Sequence, residues 1–295
     1  MSRGHDSLKR TEQDSDLLQG VDAESKGPEG SLPDGAIPVN VRPEIARSLG
    51  VSRPSLADPT CPDSLLARCP RVTWTPDTES MIFSGVSKVC QSTEELRALR
   101  SRLYRLRESQ RIKSLLVTSA LREEGKSFIA GNLAHVLALQ PECRVLLIDG
   151  DMRTPRLHKM LGTSLTPGLS EYLLDEVEEF GMMQKGRGES LFFVPSGRSV
   201  AGPTELLANG RLSALLERVE PLFDWIIVDS PAAIPVSDAP LLGGSCDAVL
   251  LVVRSGSTAF DVARKAREKF RENQMVGVVL NTMANGFPPP TQHYS

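Results

Sequence analysis

The chain has 295 residues, 40% of them hydrophobic, and a formal net charge of −3, so it can hold one sizeable core and carries no basic stripe for nucleic acid. Its apolar runs, such as residues 248–253, fall far short of a membrane span, and the polar N-terminus has no apolar signal segment, which predicts a cytoplasmic protein. Cys61, Cys69, Cys90, Cys143 and Cys246 form no C-x-x-C pair and have no histidine at ligand spacing, so reduced thiols are expected.

Residues 1–85 are rich in Pro, Ser, Asp and Glu without a sustained apolar period, which predicts a largely disordered extension before an ordered domain over 86–285 and a flexible tail at 286–295. The first expected element is a helix over residues 92–108. Ser92 and Glu95 stand at capping-box spacing, and Leu96, Leu99, Leu103 and Leu106 recur at helical spacing. Arg97, Arg100, Arg102, Arg105 and Arg107 fill much of the remainder. One reading is a solvated basic face; the other is a subunit contact, because Glu94, Arg97 and Arg100 lie on successive turns and suit reciprocal ion pairing with a second copy.

Residues 114–132 are the stretch around which the rest of the chain is organised. Leu115, Leu116 and Val117 read as a buried strand that breaks at Thr118 into a loop ending Gly125-Lys126-Ser127, and a helical pattern then runs to about residue 139. This strand, loop and helix match the phosphate-loop pattern G-x-x-x-x-G-K-[ST], with Ala120 in place of the first glycine. Ala120, Leu121, Arg122, Glu123, Glu124, Gly125, Lys126, Ser127 and Phe128 are therefore the predicted nucleotide-binding stretch. Backbone N–H groups and the helix N-terminus would hold phosphate, Lys126 would reach the β- and γ-phosphates, and Ser127 would ligate Mg²⁺. The expected cofactors are ATP and Mg²⁺.

A second buried strand at 144–148 ends in Asp149-Gly150-Asp151-Met152-Arg153. In an open parallel sheet the carboxyl ends of strands face the ligand crevice, which directs Asp149 and Asp151 at whatever the loop holds. A turn with a helix cap at Asp151 or Thr154 before Pro155 is the plain alternative. A helix near 168–174, a strand at 191–195 and a helix from about 203 to 222 lead to a strand at 225–228 that ends in Asp229-Ser230-Pro231. An aspartate closing an apolar strand downstream of a phosphate loop is the Walker B arrangement, whose carboxylate holds Mg²⁺ or its water. A strand at 248–253 ends at Arg254, a helix covers 258–273, and a strand at 276–280 ends at Asn281. Arg254 is placed to balance charge in the crevice and Asn281 to meet a base or ribose; a surface arginine and a turn-forming asparagine are the plain alternatives. The fold class expected is α/β and P-loop NTPase-like, a mostly parallel sheet with helices on both faces. No G-x-G-x-x-G opens the first helix, which excludes a Rossmann dehydrogenase.

With these residues placed, residues 94–283 resemble the bacterial tyrosine kinases (BY-kinases) of capsular and extracellular polysaccharide systems, the CpsD/CapB type. The resemblance rests on residues 120–127 as Walker A, residues 146–153 (LLIDGDMR) as the family's second Walker motif, residues 226–231 (IIVDSP) as Walker B, and Glu94, Arg97 and Arg100 as its E-x-x-R-x-x-R oligomerisation motif. Pro203-Thr204-Glu205-Leu206-Leu207 and Val236-Ser237-Asp238-Ala239 match further family segments. It implies an ATP-dependent protein-tyrosine autokinase that forms a ring of its own copies. It also implies a role in polysaccharide synthesis or export beside a membrane chain-length (co-polymerase) protein, which would recruit it to the inner face of the membrane. In the implied reaction Lys126 offsets developing charge, Ser127, Asp151 and Asp229 serve the metal, and Asp149 takes the tyrosine proton, with Asp151 as the alternative acceptor.

Three departures from the family pattern stand out. Glu123 replaces a loop glycine, adding a carboxylate and a side chain where backbone approaches phosphate. Ala232 follows Pro231 where a second proline is usual. The family's tail is a tyrosine cluster that serves as its own substrate, whereas this chain has only Tyr104, Tyr172 and Tyr294. Tyr294 follows Pro288-Pro289-Pro290, which favour an extended, solvated backbone, so it is the expected phosphoacceptor. Two other readings compete. A partition or division-site ATPase is opposed by Leu121, which stands where such proteins carry a signature lysine. An ATP-binding scaffold without phosphotransfer is favoured by the tyrosine-poor tail and opposed by Lys126, Asp149, Asp151 and Asp229.

Overall fold

The longest apolar runs become the centre of a single sheet because strands covered on both faces need apolar side chains in both directions. The computed structural model describes residues 61–82, 91–186, 188 and 190–281, all within one unit spanning residues 54–295. The strands are β1 (Ser114–Ser119), β2 (Val145–Asp149), β3 (Gln184–Lys185), β4 (Leu191–Val194), β5 (Trp225–Asp229), β6 (Ala248–Arg254) and β7 (Met275–Asn281). They lie in the order β3-β4-β2-β5-β1-β6-β7, and every neighbouring pair is parallel except β3 with β4. Register brings Asp149 beside Asp229 and Asp229 beside Val117, so the carboxyl ends of β2, β5 and β1 share one edge.

The helices are α1 (Pro62–Leu66), α2 (Gln91–Ser109), α3 (Lys126–Ala138), α4 (Leu157–Leu161), α5 (Leu169–Leu173), α6 (Glu179–Met182), α7 (Pro203–Leu207), α8 (Arg211–Val219), α9 (Asp238–Gly244) and α10 (Phe260–Arg267). Side chains alternate across the sheet into two cores, as a period of two dictates. Leu146, Ile148, Ile226 and Val228 meet α5, α6 and α8 on one face. Leu115, Val117, Leu147 and Ile227 meet α2 and α3 on the other. α3 is buried over most of its circumference, because α2 covers the side turned away from the sheet. The helices on both faces and the mostly parallel order agree with the expected fold class.

Several expectations need correction, among them the helix expected over 258–273, which runs from Phe260 to Arg267 and is followed by a 3₁₀ turn at Glu272–Gln274. Residues 61–82, expected within a disordered extension, form an irregular strap that packs on the domain. Leu66, Cys69 and Met81 are buried in the two cores. The Asn132 amide of α3 accepts from Ile82 N at 2.9 Å and donates to Ser80 O at 2.7 Å, and Trp74 meets Phe193 edge to face. The rest of the expected extension and the tail at 286–295 lie outside the described residues. The helix expected over 203–222 is two helices, because Gly210 at φ 81° breaks the run; Glu220–Leu222 then continues as a single 3₁₀ turn containing Pro221.

Among the described residues no helix is long and apolar enough to cross a membrane. Cys61, Cys69, Cys143 and Cys246 are thiols.

α2 begins at Gln91, so Ser92 falls inside its first turn. Glu94 and Arg97 form an ion pair within the helix, and Arg100 Nη1 donates to Val136 O at 3.0 Å near the C-terminal end of α3, where the helix dipole favours a cation.

Candidate nucleotide-binding and phosphotransfer site

The loop between β1 and α3 is shaped by one buried acid and one half-buried amide. Glu124 is 2% exposed. Its Oε2 accepts from Leu121 N at 2.6 Å, and its Oε1 accepts from Arg254 N at 3.2 Å and from the Thr258 hydroxyl. Asn281 Nδ2 donates to Glu124 O at 2.9 Å. Gly125 has φ 94°, and a Cβ there would lie 2.1 Å from Asn281 Nδ2. Glycine is therefore required twice over, by conformation and by space. Glu124 and Asn281 fasten the loop to the carboxyl ends of β6 and β7, so Asn281 acts on the loop backbone.

Arg254 contributes its backbone N–H to that clasp, and its side chain borders an apolar groove with Phe260, Val278 and Leu280. Ala120 is buried, and Phe128 packs half-buried against the core beneath α3.

Three carboxylates converge on Lys126. Its Nζ lies 3.1 Å from Asp151 Oδ2 and donates to Ser127 Oγ at 3.5 Å. Burial works against the lysine's charge, but Asp229, Asp151 and Asp149 outweigh it and hold the pKa above the usual lysine value. Asp151 also accepts from Thr154 N at 2.9 Å and from Thr154 Oγ1 at 3.1 Å, a local turn made in addition to the lysine pair; the helix that follows starts only at Leu157 with Arg156 at its N-cap, so neither Asp151 nor Thr154 caps it. Asp149 is fully enclosed and accepts from Asp151 N and Leu157 N, each at 3.2 Å. Burial first, then the neighbouring Asp229 and Asp151 charges, raise its pKa well above the carboxylate range. Gly150 is dictated by the contact between the ends of β2 and β5: a Cβ there would come within 2.7 Å of Asp229 O.

Asp229 is fully buried, and both its oxygens lack a hydrogen bond of full geometry. Burial raises its pKa to about 6; the Lys126 charge and the nearby Ser127 hydroxyl pull the other way, and Asp151 adds to the rise. A buried carboxylate left unpaired is costly, and a site that keeps one fits a cation or water absent from the protein itself.

The cleft beside these groups, about 130 Å³, is lined by Arg122, Glu123, Lys126, Asp151, Arg153 and Thr154, and by Arg156, Pro231, Ala232, Pro235 and Val236. Sequence reasoning missed the anchoring of Arg153, which is held by Asp238 on α9 and Thr204 on α7. The two family segments at 203–207 and 236–239 were the available signal. Glu123 has φ 65°, a left-handed conformation that suits glycine, and its exposed carboxylate lies 3.8 Å from Arg156. Glu123→Gly is expected to tighten ADP·Mg²⁺ binding about fivefold, since one negative charge near phosphate in a wet site costs roughly 1 kcal/mol. Isothermal calorimetry checks it, and unchanged affinity would show that Glu123 faces away from the nucleotide.

A phosphate loop at the end of β1, with acidic ends on β5 and β2 beside it in the sheet, defines a P-loop nucleotide-binding protein of the α/β class. No family model matches the chain. Tyrosine-protein kinase YwqD of Bacillus subtilis (strain 168) is 33% identical over 192 residues, covering 64% of this chain and 81% of that protein. Tyrosine-protein kinase etk of Escherichia coli (strain K12) is 35% identical over 188 residues, covering 63% of this chain and 26% of the longer relative. Among solved structures, the kinase domain of Escherichia coli tyrosine kinase ETK matches with a TM-score of 0.64 and 27% identity over 75% of this chain and 93% of that one. The chimerical protein CapA2B2 matches with a TM-score of 0.65 and 28% identity over 75% and 97%. The chain belongs to the bacterial tyrosine-protein kinase family and binds ATP.

Proposed function

We propose that the chain is a tyrosine autokinase that moves the γ-phosphoryl group of ATP·Mg²⁺ onto tyrosines of its own copies, Tyr294 first. The observation that carries this reading is the buried cluster of Lys126, Asp151 and Asp229 at the phosphate loop, with both Asp229 oxygens unpaired. Those oxygens and the Ser127 hydroxyl fit Mg²⁺ and would hold it, and the bound ion would supply positive charge to offset the charge that develops on the transferring group. Lys126 holds the transferring group, and Asp151 orients Lys126 and supports the metal.

Asp149 accepts the tyrosine proton. It carries two long amide contacts, whereas Asp151 is committed to the lysine and to both Thr154 donors. Asp149 does not line the cleft, so the acceptor hydroxyl reaches it only as the 149–155 loop shifts.

Tyr172 is buried, and Tyr104 stacks edge to face on Trp225 with its hydroxyl 3.7 Å from Cys143 Sγ. The burial of Tyr172 and the half-buried, ring-packed setting of Tyr104 support Tyr294, a residue outside those described. Labelled ATP·Mg²⁺ followed by phosphosite mapping is expected to place phosphate on Tyr294 and to lose it in Tyr294→Phe. ATP binding without phosphate on any tyrosine would return the scaffold reading.

Assembly into a ring through α2 and regulation of capsular or extracellular polysaccharide beside a membrane co-polymerase belong to the same proposal. They are supported by the exposed Glu94 and Arg97 side chains and by the family resemblance. Light scattering is expected to show a higher oligomer for the unaltered chain and a monomer for Arg97→Glu/Arg100→Glu. An unchanged mass for the double variant would leave α2 as a solvated surface helix.

A further inference from the structure

The cleft beside Lys126 has two unlike walls. Pro231, Ala232, Pro235 and Val236 make one side apolar, while Arg122, Arg153 and Arg156 bring guanidinium groups to the other. With Lys126 these are four cations against the two carboxylates of Glu123 and Asp151 in the same lining. Asp151 is committed to Lys126 and Thr154, and Glu123 meets Arg156 only loosely, at 3.8 Å between two exposed side chains.

Arg153 is unlike an ordinary surface arginine. Its Nε donates to Asp238 Oδ2 at 2.7 Å, and its Nη2 donates to Asp238 Oδ1 at 3.2 Å and to Thr204 Oγ1 at 2.9 Å. Thr204 Oγ1 in turn donates to Asp238 Oδ1 at 2.6 Å. Asp238 is 1% exposed, whereas the Arg153 side chain remains 34% exposed at the cleft. One edge of the guanidinium is thus fixed by a buried clamp, and Nη1 has no partner among the described residues. A guanidinium held in one orientation has already lost the rotamer entropy that weakens exposed ion pairs, and it meets a carboxylate in a fixed geometry. Binding of ATP and metal and transfer of the proton, as assigned to Lys126, Ser127, Asp149, Asp151 and Asp229, use neither Arg153 nor Arg156.

We propose that Arg153, clamped by Asp238 and Thr204, acts with Arg156 to select acceptor tyrosines flanked by aspartate or glutamate, the tyrosine ring lying against the proline wall. This inference rests on the kinase reading and names the substrate class of the same site. Arg153 and Arg156 are the specificity-determining residues; Asp238 and Thr204 are positioning residues. One consequence concerns the chain's own tail. Tyr294 lies in Pro290-Thr291-Gln292-His293-Tyr294-Ser295, without an acidic side chain, so the tail is a weak substrate in solution and gains from proximity within an assembly. Among free substrates, where proximity gives no advantage, an acidic tyrosine segment is then the better acceptor, while Tyr294 stays first within the assembly.

The test uses the full chain with ATP·Mg²⁺ and three tyrosine peptides that differ only in acidic, neutral or basic flanks, with phosphorylation of the chain itself followed in the same reactions. The acidic peptide is expected to exceed the neutral one roughly tenfold in kcat/KM, through KM, as two ion pairs of up to about fivefold each allow. The gap should shrink at high salt. Arg153→Gln and Arg156→Gln are each expected to lower the acidic-to-neutral ratio about threefold. Arg153→Lys should fail to restore it, because an ammonium cannot occupy the clamp in the same way. Asp238→Asn keeps the arginine charge but loosens its orientation, and is expected to lower the ratio with little effect on the neutral peptide. Should that variant fail to fold, Thr204→Val reads the same property at a less buried position.

Equal rates for all flanks alongside labelling of the chain would overturn this inference and leave the kinase reading standing. A rise in the KM for ATP in place of the peptide effect would put the arginines on the nucleotide and overturn it as well. Labelling of neither peptide nor chain would remove the kinase reading itself.

Discussion

Lys126→Met is expected to lower phosphotransfer by ~10²–10³, the usual loss when one preorganised donor is removed from a transferring group. The structure adds a second effect. Lys126 is the cation against which Asp151 pairs at 3.1 Å, and its charge also opposes the rise in the Asp229 pKa. Methionine fills much of the same volume but leaves the neighbouring carboxylates without that countercharge. Breaking a buried pair by removing one partner typically costs 3–5 kcal/mol, less whatever protonation of the survivors recovers. The variant should therefore bind ATP·Mg²⁺ weakly and melt at lower temperature, while keeping the far-UV dichroism of the unaltered chain. Single-turnover phosphorylation at saturating nucleotide separates the chemical loss from the binding loss. Transfer at the unaltered rate would remove Lys126 from the mechanism.

Much of this site was legible in sequence because its parts are local. A buried run followed by Gly125-Lys126-Ser127 fixes strand, loop and helix within a few residues, and apolar runs ending in Asp149 and Asp229 need only a parallel sheet to bring their acids to one edge. The registers of β1, β2 and β5 supply that edge. The hidden parts depend on partners distant in the chain. Glu124 reads as one loop residue among several, yet its carboxylate joins Leu121, Arg254 and Thr258. Asn281 was expected at the nucleotide because a strand end faces the crevice, and it bonds instead to the carbonyl of Glu124. Neither contact leaves a periodic trace.

The strap at residues 61–82 shows the same limit more strongly. Its stretch Pro70-Arg71-Val72-Thr73-Trp74-Thr75-Pro76 has two prolines and no helical or strand period, so composition argued for disorder. The strap is held by separate anchors: Leu66 and Met81 in different cores, a hydrogen bond from Thr75 N to Gly162 O at 3.2 Å, and the Asn132 amide. Gly162 has φ 61°, and a Cβ there would come within 2.0 Å of Thr75 O, so α4 ends in a glycine that also makes room for the strap. Tertiary contacts of this kind override local pattern because each anchor satisfies a group on an already folded domain.

Asp149→Asn is expected to lower tyrosine phosphorylation by ~10²–10⁴, the span usual for loss of a general base, while ATP·Mg²⁺ affinity stays within a few-fold of the unaltered chain. The contrast with Asp151→Asn gives this experiment its force. Asp151 touches Lys126 and both Thr154 donors, so its amide variant disturbs the lysine and the turn together and should weaken nucleotide binding. Among the described residues Asp149 accepts hydrogen bonds only from two backbone N–H groups, those of Asp151 and Leu157. An asparagine there can keep one of the two acceptor contacts, and its NH₂ must face the other donor. That mismatch costs on the order of 1–3 kcal/mol, offset in part because a buried like charge beside Asp229 is removed. A thermal melt accounts for the folding effect, leaving the chemical step to be read as kcat at saturating ATP. Wild-type kcat in Asp149→Asn together with a collapse in Asp151→Asn at saturating nucleotide would move the proton acceptor to Asp151. The carboxylate that lines the cleft would then be the one that meets the tyrosine.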